Sequence, residues 1–365
     1  MSAFEACVGV DGDNPALQRL FAVPQPSSGV QIAFERAPDY FASAGVMYQQ
    51  SHLLLVRHKG DQALAAAVNM GQRLAWINGK KTLLRYGADM RIAPEFQGGR
   101  VLLYVNRAVK GAVKDGWYLT VILEGNQRSR NSLEGGRAGL PHYRHLGDIS
   151  TYTLTSTRGQ ARLPANIHIR TATKEDIAAM NAWAQRLGQY YQFLPCYDFA
   201  ELAAGAAFYR GLSLSDFLLL ERDGELAGIV GLWDQHGLKQ ARVVAYNRLM
   251  RLLKPFYNIW SRLGGGLVLP PVGQVFRYLS LHSMLTLPDD VTAFSVLLQA
   301  ALKQAKQRTF CGAVLTLSEQ DPRREALRQF RHVRMQARQY SVAYAEANQP
   351  LLLPDFIHFH DAGRL

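Results

Sequence analysis

The sequence is poor in cysteine and in extended apolar stretches, and each shortage excludes a class of protein. The three cysteines among 365 residues, Cys7, Cys196 and Cys311, include no close pair. This spacing excludes a disulfide-stapled scaffold and a cysteine-rich zinc site. No window holds about 18 uncharged apolar residues, so we expect no membrane-spanning helix. Residues 1–14 are acidic and lack the basic-then-apolar pattern of a secretion signal, so we expect a cytoplasmic protein.

Hydrophobic residues are plentiful. They make up 48% of the chain, which is enough for one or two buried cores and excludes general disorder. Lys and Arg number 41 against 29 Asp and Glu, so the formal net charge is +12. A basic balance favours anionic partners such as nucleic acid, anionic lipid or a phosphorylated small molecule. An aromatic-rich RNA-binding signature is missing, so we do not expect a nucleic-acid partner.

Strand and helix patterns occur twice along the chain, which is long enough for two domains. We place the first set at 29–158, starting from an alternating strand at Val30 to Phe34, and the second at 165–345. Residues 1–28 would be an N-terminal extension and residues 346–365 a C-terminal tail. The polar and basic stretch between the two sets, 155–164, would be a linker.

The second set carries roughly 60 extra residues, which we place as an insertion around 235–276. Its basic residues Arg248, Arg251 and Lys254 are interleaved with apolar ones, as in an amphipathic helix. Such a helix could lie on an anionic membrane surface or bind an acyl chain. We favour the simpler interpretation, in which it packs on the protein's own core with its basic face in water, and keep peripheral membrane contact as the alternative.

The best chemical signal is a loop that follows Pro94. A strand pattern ends at this proline, Gly98 and Gly99 follow, and a helical pattern begins at Leu102. A helix N-terminus presents free N–H groups and partial positive charge, and glycines let an anion approach the backbone closely. The pattern therefore predicts a phosphate site. Neither G-x-G-x-x-G nor G-K-[ST] is present, which excludes a Rossmann loop and a P-loop.

The segment 89–102, with Asp89-Met90-Arg91-Ile92-Ala93-Pro94 before Glu95-Phe96-Gln97-Gly98-Gly99-Arg100-Val101-Leu102, resembles motif A of the GNAT superfamily of N-acetyltransferases. Residues 167–177 resemble the opening strand and helix of the same family. The resemblance covers about residues 28–345 as two tandem copies. It implies an α/β (α+β) fold of two GNAT-like domains, each a mixed, mostly antiparallel twisted sheet flanked by helices.

The resemblance also implies that acetyl-CoA or another acyl-CoA binds the first domain as co-substrate. Arg100 stands where the second glycine of the family's loop is usual. The second copy has no glycine here and places Asp289 and Asp290 where the diphosphate would bind, so we expect a degenerate site that shapes the acceptor pocket. The residues assigned to the cofactor by resemblance are Met90, Arg91, Ile92, Gln97, Gly98, Gly99, Arg100, Val101, Leu102 and Asn126.

Acyl transfer to an amine needs a base for the ammonium proton and an acid for the leaving thiolate. The candidate bases are Asp89 and Glu124, near the ends of two strands, and the candidate acids are Tyr86 and Tyr143. A surface or capping role is the simpler interpretation of Asp89, and a packing role that of Tyr86. The C-terminal His-x-His pair at 358–360 lacks a third ligand, so we expect no metal.

We therefore predict an acyl-CoA-dependent N-acyltransferase, with acetyl-CoA as the first choice of donor and an anionic or amphiphilic amine as acceptor. Two other hypotheses stay open. One is a non-catalytic CoA- or ligand-binding protein on the same scaffold. The other is an enzyme of the tRNA-dependent aminoacyl-transferase type, which the basic charge allows.

Overall fold

The computed structural model describes residues 3–24, 29–125, 140–159 and 164–365. The predicted cofactor residue Asn126 lies outside these ranges. The strands in the described part are β1 (Phe4–Val8), β2 (Val30–Glu35), β3 (Leu53–His58), β4 (Leu64–Ile77), β5 (Lys80–Ile92), β6 (Trp117–Leu123), β7 (His142–Thr157), β8 (Ile167–Thr171), β9 (Tyr191–Gln192), β10 (Leu194–Pro195), β11 (Phe217–Arg222), β12 (Glu225–Trp233), β13 (Gln240–Tyr246), β14 (Tyr278–Leu285), β15 (Gly312–Ser318), β16 (Phe330–Ala343) and β17 (Ile357–His358). The helices are α1 (Asn14–Phe21), α2 (Tyr40–Met47), α3 (Val101–Val113), α4 (Ile177–Leu187), α5 (Phe199–Ala203), α6 (Arg248–Gly264) and α7 (Val291–Gln307).

A single large sheet runs through the described chain. Its strand order is β1-β3-β4-β5-β6-β16-β7-β15-β14-β12-β11-β8, with the short β10 paired to β4. Within this sheet the pairs β5–β6 and β14–β15 are parallel, and the other pairs are antiparallel. Helices cover its faces, so the predicted class of a mixed, mostly antiparallel sheet flanked by helices is confirmed.

The two halves exchange their last strands at the centre of the sheet. β7, at the end of the first half, pairs with β15 of the second half. β16, at the end of the second half, pairs with β6 of the first half. β7 and β16 also pair with each other, and Thr157 is still in register with Phe330. Residues 155–157, expected in a linker, are therefore part of a central strand that ties the halves together.

The N-terminal residues belong to the first half. β1 pairs with β3 at one edge of the sheet, just as β8 pairs with β11 at the other. A short turn that ends in an acidic residue, Asp13 or Asp176, leads into the helix after each of these strands. β2, which we expected to open the first half, pairs instead with β13 in a small separate sheet. We propose that the first half begins at β1 rather than at residue 29.

Side-chain periodicity explains why α3 covers the first half. Val101, Val105, Val109 and Val113 recur every four residues, so they share one helix face. All four are buried in a core with Met70 and other residues of β3–β6. The helix predicted from the apolar spacing around 102–112 is confirmed.

The inserted helix α6 does not pack as expected. Ser261 is the one buried residue of this helix, and the large apolar side chains of the helix face outwards. The expectation that its apolar side packs on the protein's own core is therefore wrong. Even so, none of the helices in the described part of the chain is long and apolar enough to cross a bilayer.

Candidate functional site

A β-bulge interrupts β5 within the segment that resembles motif A. Ala67 is in register with Arg91 and Asn69 with Ala88, so Asp89 and Met90 together face Val68 alone. Asp89 has φ +58°, in the left-handed region that non-glycine residues rarely adopt. A bulge of this kind bends its strand and ends regular pairing.

Beyond the bulge, β5 and the parallel strand β6 separate. Their register contains two pairs, Tyr86 with Leu119 and Gly87 with Thr120, and the Thr120 hydroxyl donates to the Gly87 carbonyl over 2.8 Å. Past this point the strands diverge and enclose a cavity of ≈ 160 Å³. Its lining residues come from β4, β5, β6, α3 and β7: Val68, Met70, Gly87, Ala88, Asp89, Met90, Arg91, Val105, Asn106, Val109, Tyr118, Thr120, Val121, Ile122, Leu123 and Tyr143.

The glycine loop leads into the N-terminus of α3, which lines the same cavity. Gly98 has φ +79°, and a Cβ built there would meet nothing within 4 Å. No described residue accepts a backbone hydrogen bond from the N–H groups of Gly99, Arg100, Val101 or Leu102. Those groups and the exposed Arg100 side chain form the kind of site that binds phosphate at a helix N-terminus.

Asp89 is neither at the surface nor free. Its carboxylate pairs with the Arg36 guanidinium at 2.7 Å, and their side chains are 5% and 10% exposed. The Tyr40 hydroxyl lies 3.4 Å from the same carboxylate. Burial alone would raise the pKa of Asp89, but Arg36, together with Arg91 and Lys239, outweighs burial and the pKa is lowered. The simpler expectation of a surface or capping carboxylate is therefore wrong, because Asp89 is a buried, paired carboxylate at the bulge.

Two tyrosines line the cavity from strands on either side of β16, Tyr118 on β6 and Tyr143 on β7. Burial raises the pKa of Tyr143 to about 12, so its phenol is neutral at physiological pH. Tyr86 is buried in the core cluster that contains Tyr40 and Tyr48, and it is not among the described residues that line the cavity.

The structure therefore brings together part of the predicted set. Asp89, Met90, Arg91 and Tyr143 line the cavity. Ile92 follows them on β5, and residues 97–102 form the loop and helix start beside it. Glu124 lies exposed just after β6, where its N–H donates to the Gln336 carbonyl at 3.0 Å.

Sequence reasoning missed Arg36, Tyr118, Thr120 and Asn106. Tyr118 and Thr120 are two residues apart in a strand, so their side chains lie on the same side of it. This spacing could have indicated that both line the same site. Nothing local in the sequence links Arg36 to Asp89, because 53 residues separate them.

The second half repeats the backbone geometry but closes the gap. β14 and β15 pair in parallel over a short stretch, from the pair Tyr278 and Gly312 to the pair Ser280 and Val314. Beyond it Ser283 has a positive φ of +42°, like Asp89 in β5. The buried Arg323 side chain fills the space beyond. It pairs with Asp321 at 2.6 Å and donates to the Met284 carbonyl at 3.3 Å.

The N-terminus of α7 is also occupied by the chain itself. The Asp290 carboxylate accepts a hydrogen bond from the Ala293 N–H at 2.9 Å and pairs with Arg222 at 2.8 Å. This cap uses the groups that would bind a phosphate at the equivalent end of α3.

A buried polar network lies beside this closed gap. The Asp361 carboxylate accepts from the Ser283 N–H at 3.1 Å and from the Tyr197 hydroxyl at 2.5 Å. The ring of His282 contacts the Arg364 guanidinium at 2.9 Å. His358 contacts the Gln339 side chain at 2.7 Å, and the described residues contain no group of three His, Cys, Asp or Glu that could hold a metal.

Comparison with solved structures identifies the fold. No known protein-family model matches the chain, and no curated protein sequence does. The architecture is that of the GCN5-related N-acetyltransferase (GNAT) fold. The chain is 14% identical to a GCN5-related N-acetyltransferase from Sphaerobacter thermophilus, with 98% of this chain and 99% of that one covered and a TM-score of 0.57.

A second neighbour is the N-myristoyltransferase of Saccharomyces cerevisiae with bound myristoyl-CoA. It is 12% identical, with 100% of this chain and 88% of that one covered and a TM-score of 0.58. A GCN5-related N-acetyltransferase from Anabaena variabilis is 13% identical, with 93% and 72% covered and a TM-score of 0.50. The predicted resemblance to the GNAT superfamily is thus confirmed at the level of the fold.

Proposed function

We propose that the protein is an acyl-CoA-dependent N-acyltransferase whose donor binds the first half. One observation carries this proposal. The gap between β5 and β6 is open beside a helix N-terminus that has no side-chain cap among the described residues, whereas in the second half Arg323 fills the equivalent gap and Asp290 caps α7. The fold neighbours include N-acetyltransferases and an N-myristoyltransferase with bound myristoyl-CoA, which supports the same donor class.

The donor can be placed by its chemistry. Its diphosphate would accept hydrogen bonds from the N–H groups of residues 99–102, with Arg100 supplying further positive charge. Its pantetheine amides would pair with the edge of β5 at Met90 and Ile92, which has no strand partner on that side in the described chain. The thioester would then enter the cavity. A space of ≈ 160 Å³ favours a short acyl group, so we propose acetyl-CoA before longer donors.

The reaction would be attack of an acceptor amine on the thioester carbonyl. The carbon–nitrogen bond forms, the carbon–sulfur bond breaks, and the ammonium proton must leave. A phenol with a pKa of about 12 is a weaker acid than a thiol near 8.5, so Tyr143 would stabilise the leaving sulfur by a hydrogen bond rather than by complete proton transfer. Asp89, already engaged by Arg36, would hold the bulge, which leaves Glu124 as the candidate base.

The direct test is calorimetric titration of acetyl-CoA and longer acyl-CoAs into wild type, Gly99→Glu and Gly111→Glu. A Cβ at Gly99 would first meet the Phe96 carbonyl oxygen at 3.6 Å, an ordinary contact, so the new carboxylate acts through its charge. Gly111 lies near the C-terminal end of α3, also with open space around its Cα, and is the matched control.

We expect Gly99→Glu to weaken binding by about tenfold or more, equivalent to about 1.4 kcal/mol, and Gly111→Glu to leave it within about twofold. Equal affinity in all three proteins would reject the loop as the diphosphate site. Tight binding without release of free CoA thiol in the presence of amines would favour the non-catalytic binding module instead.

A further inference from the structure

The inserted helix α6 presents its apolar side to solvent. Leu263 is 84% exposed, Trp260 78% and Leu252 73%. At the helical repeat of 100° per residue, the apolar positions fall within an arc of about 120°. They are Leu249, Leu252, Leu253, Phe256, Ile259, Trp260 and Leu263. A helix of a soluble protein normally turns such a face towards its core, so this face has the opposite orientation.

The opposite, largely polar side of α6 attaches the helix to the protein. The Asn258 side chain donates to the Leu269 carbonyl and accepts from the Leu269 N–H, both at 2.9 Å. Ser261 is buried, and its carbonyl accepts from the Gly266 N–H at 2.7 Å. Met250 packs in a small cluster with Val243 and Leu269. These specific contacts hold the helix in this orientation, so the exposed apolar arc is a built feature of the fold.

The stretch of sequence that contains α6 carries charge of one sign. Between Gln235 and Pro288 it contains no Asp or Glu. Its cations are Lys239, Arg242, Arg248, Arg251, Lys254, Arg262 and Arg277. Two of them serve the protein's own contacts, because Arg242 pairs with Glu35 and Lys239 donates to the backbone oxygens of Gly363 and Leu365. On α6 the exposed cations Arg248, Arg251 and Arg262 border one edge of the apolar arc by the same helical repeat. Two further exposed cations, Arg158 and Arg331, line the surface beside Gly264 and Gly265, at the end of the helix.

We propose that α6 docks on the surface of an anionic lipid bilayer, with its apolar arc among the acyl chains and its cations at the headgroups. A wide apolar face with bulky aromatics and a cationic flank is the pattern of helices that lie in the membrane interface. A second copy of α6 is a poorer occupant, because two such helices would bring like charges together. The proposal is independent of the acyl-CoA site.

Vesicle flotation tests the proposal with the full-length protein. The vesicles contain phosphatidylcholine alone or phosphatidylcholine with phosphatidylglycerol. Phe256→Glu with Trp260→Glu removes the apolar contact at exposed positions, so folding is preserved. Leu351→Glu is the control, because Leu351 is 84% exposed elsewhere on the protein. A second set neutralises Arg248, Arg251 and Arg262 to Gln, and its control neutralises the exposed Lys59, Lys80 and Lys303.

We expect the wild type to float with anionic vesicles and the apolar double variant to partition at least tenfold less. The variant with the three α6 arginines changed to Gln should bind anionic vesicles less, by an amount that depends on the salt concentration. Neither control variant should change vesicle binding. Trp260 gives an independent readout, because the other tryptophans are buried or half-buried. The tryptophan fluorescence emission should shift to shorter wavelength when anionic vesicles are added, and Trp260→Phe should abolish this shift.

Three results would overturn the proposal. The first is no flotation with either vesicle. The second is equal binding to neutral and anionic vesicles, which would remove the role of the cations. The third is a wild-type dimer in light scattering that the apolar double variant converts to a monomer without any vesicle binding, which would make a second copy of the chain the occupant of this face.

Discussion

The ion pair at the β-bulge separates a structural role of Asp89 from a catalytic one. Asp89→Asn keeps the side-chain shape and removes the charge, which leaves the buried Arg36 guanidinium without its anion. Breaking a buried pair by removing one partner costs about 3–5 kcal/mol. We expect Asp89→Asn and Arg36→Met each to lower the free energy of unfolding in urea by this amount. The double variant should lose much less than the sum, because neither charge is then buried alone.

The control is Asp148→Asn, which removes a half-exposed carboxylate beside His145 and Arg338. Its cost should stay below about 1 kcal/mol, as for other surface pairs. The pH dependence has a definite sign. The pKa of folded Asp89 lies below the ordinary 3.8, so its stabilisation is complete above that pH and disappears as the pH falls through the folded value. The difference in the free energy of unfolding between wild type and Asp89→Asn should therefore become smaller only at acid pH.

A stable Asp89→Asn variant would contradict a structural role for the pair. If the free energy of unfolding of Asp89→Asn lies within about 1 kcal/mol of the wild-type value, the ion pair does not stabilise the bulge in the way proposed. If that stable variant also binds acyl-CoA normally and transfers no acyl group, Asp89 is the base, and Arg36 serves to keep it ionised.

Three further predictions concern the cap, the cavity and the buried histidine. Asp290→Ala should cost about 1 kcal/mol in urea unfolding through loss of the α7 cap, and should leave acyl-CoA affinity unchanged in calorimetry. Tyr143→Phe should lower the rate of CoA-thiol release about tenfold or more while the acyl-CoA dissociation constant changes little. Burial lowers the pKa of His282 to about 3, so below pH 6.5 the unfolded chain binds a proton that the folded chain does not. The free energy of unfolding should therefore fall as the pH drops from 6.5 towards 3. His282→Gln should flatten that decline in urea midpoints, and the exposed His168→Gln should not.

Much of the first half could be predicted because its signals are local. The strand before Pro94, the glycine loop and the helix that follows depend on neighbouring residues, on turn chemistry and on an apolar spacing of three to four residues. The same holds for the carboxylate that caps α7, since Asp290 lies directly before the helix it caps. These features were sufficient to predict the GNAT-like class and the loop that would bind the donor.

The residue pattern alone predicts the repeated order of strands and helices and the contrast between the glycine loop and its acidic counterpart. Three other features are visible only in the folded chain: β7 and β16 are exchanged between the halves, Arg36 pairs with Asp89, and Arg323 fills the second gap. A fourth is that α6 turns its apolar side outwards, because periodicity shows that a helix has two faces but not which of them contacts the protein. The physical reason is common to all four: they depend on contacts between segments far apart in the chain, which no local pattern records.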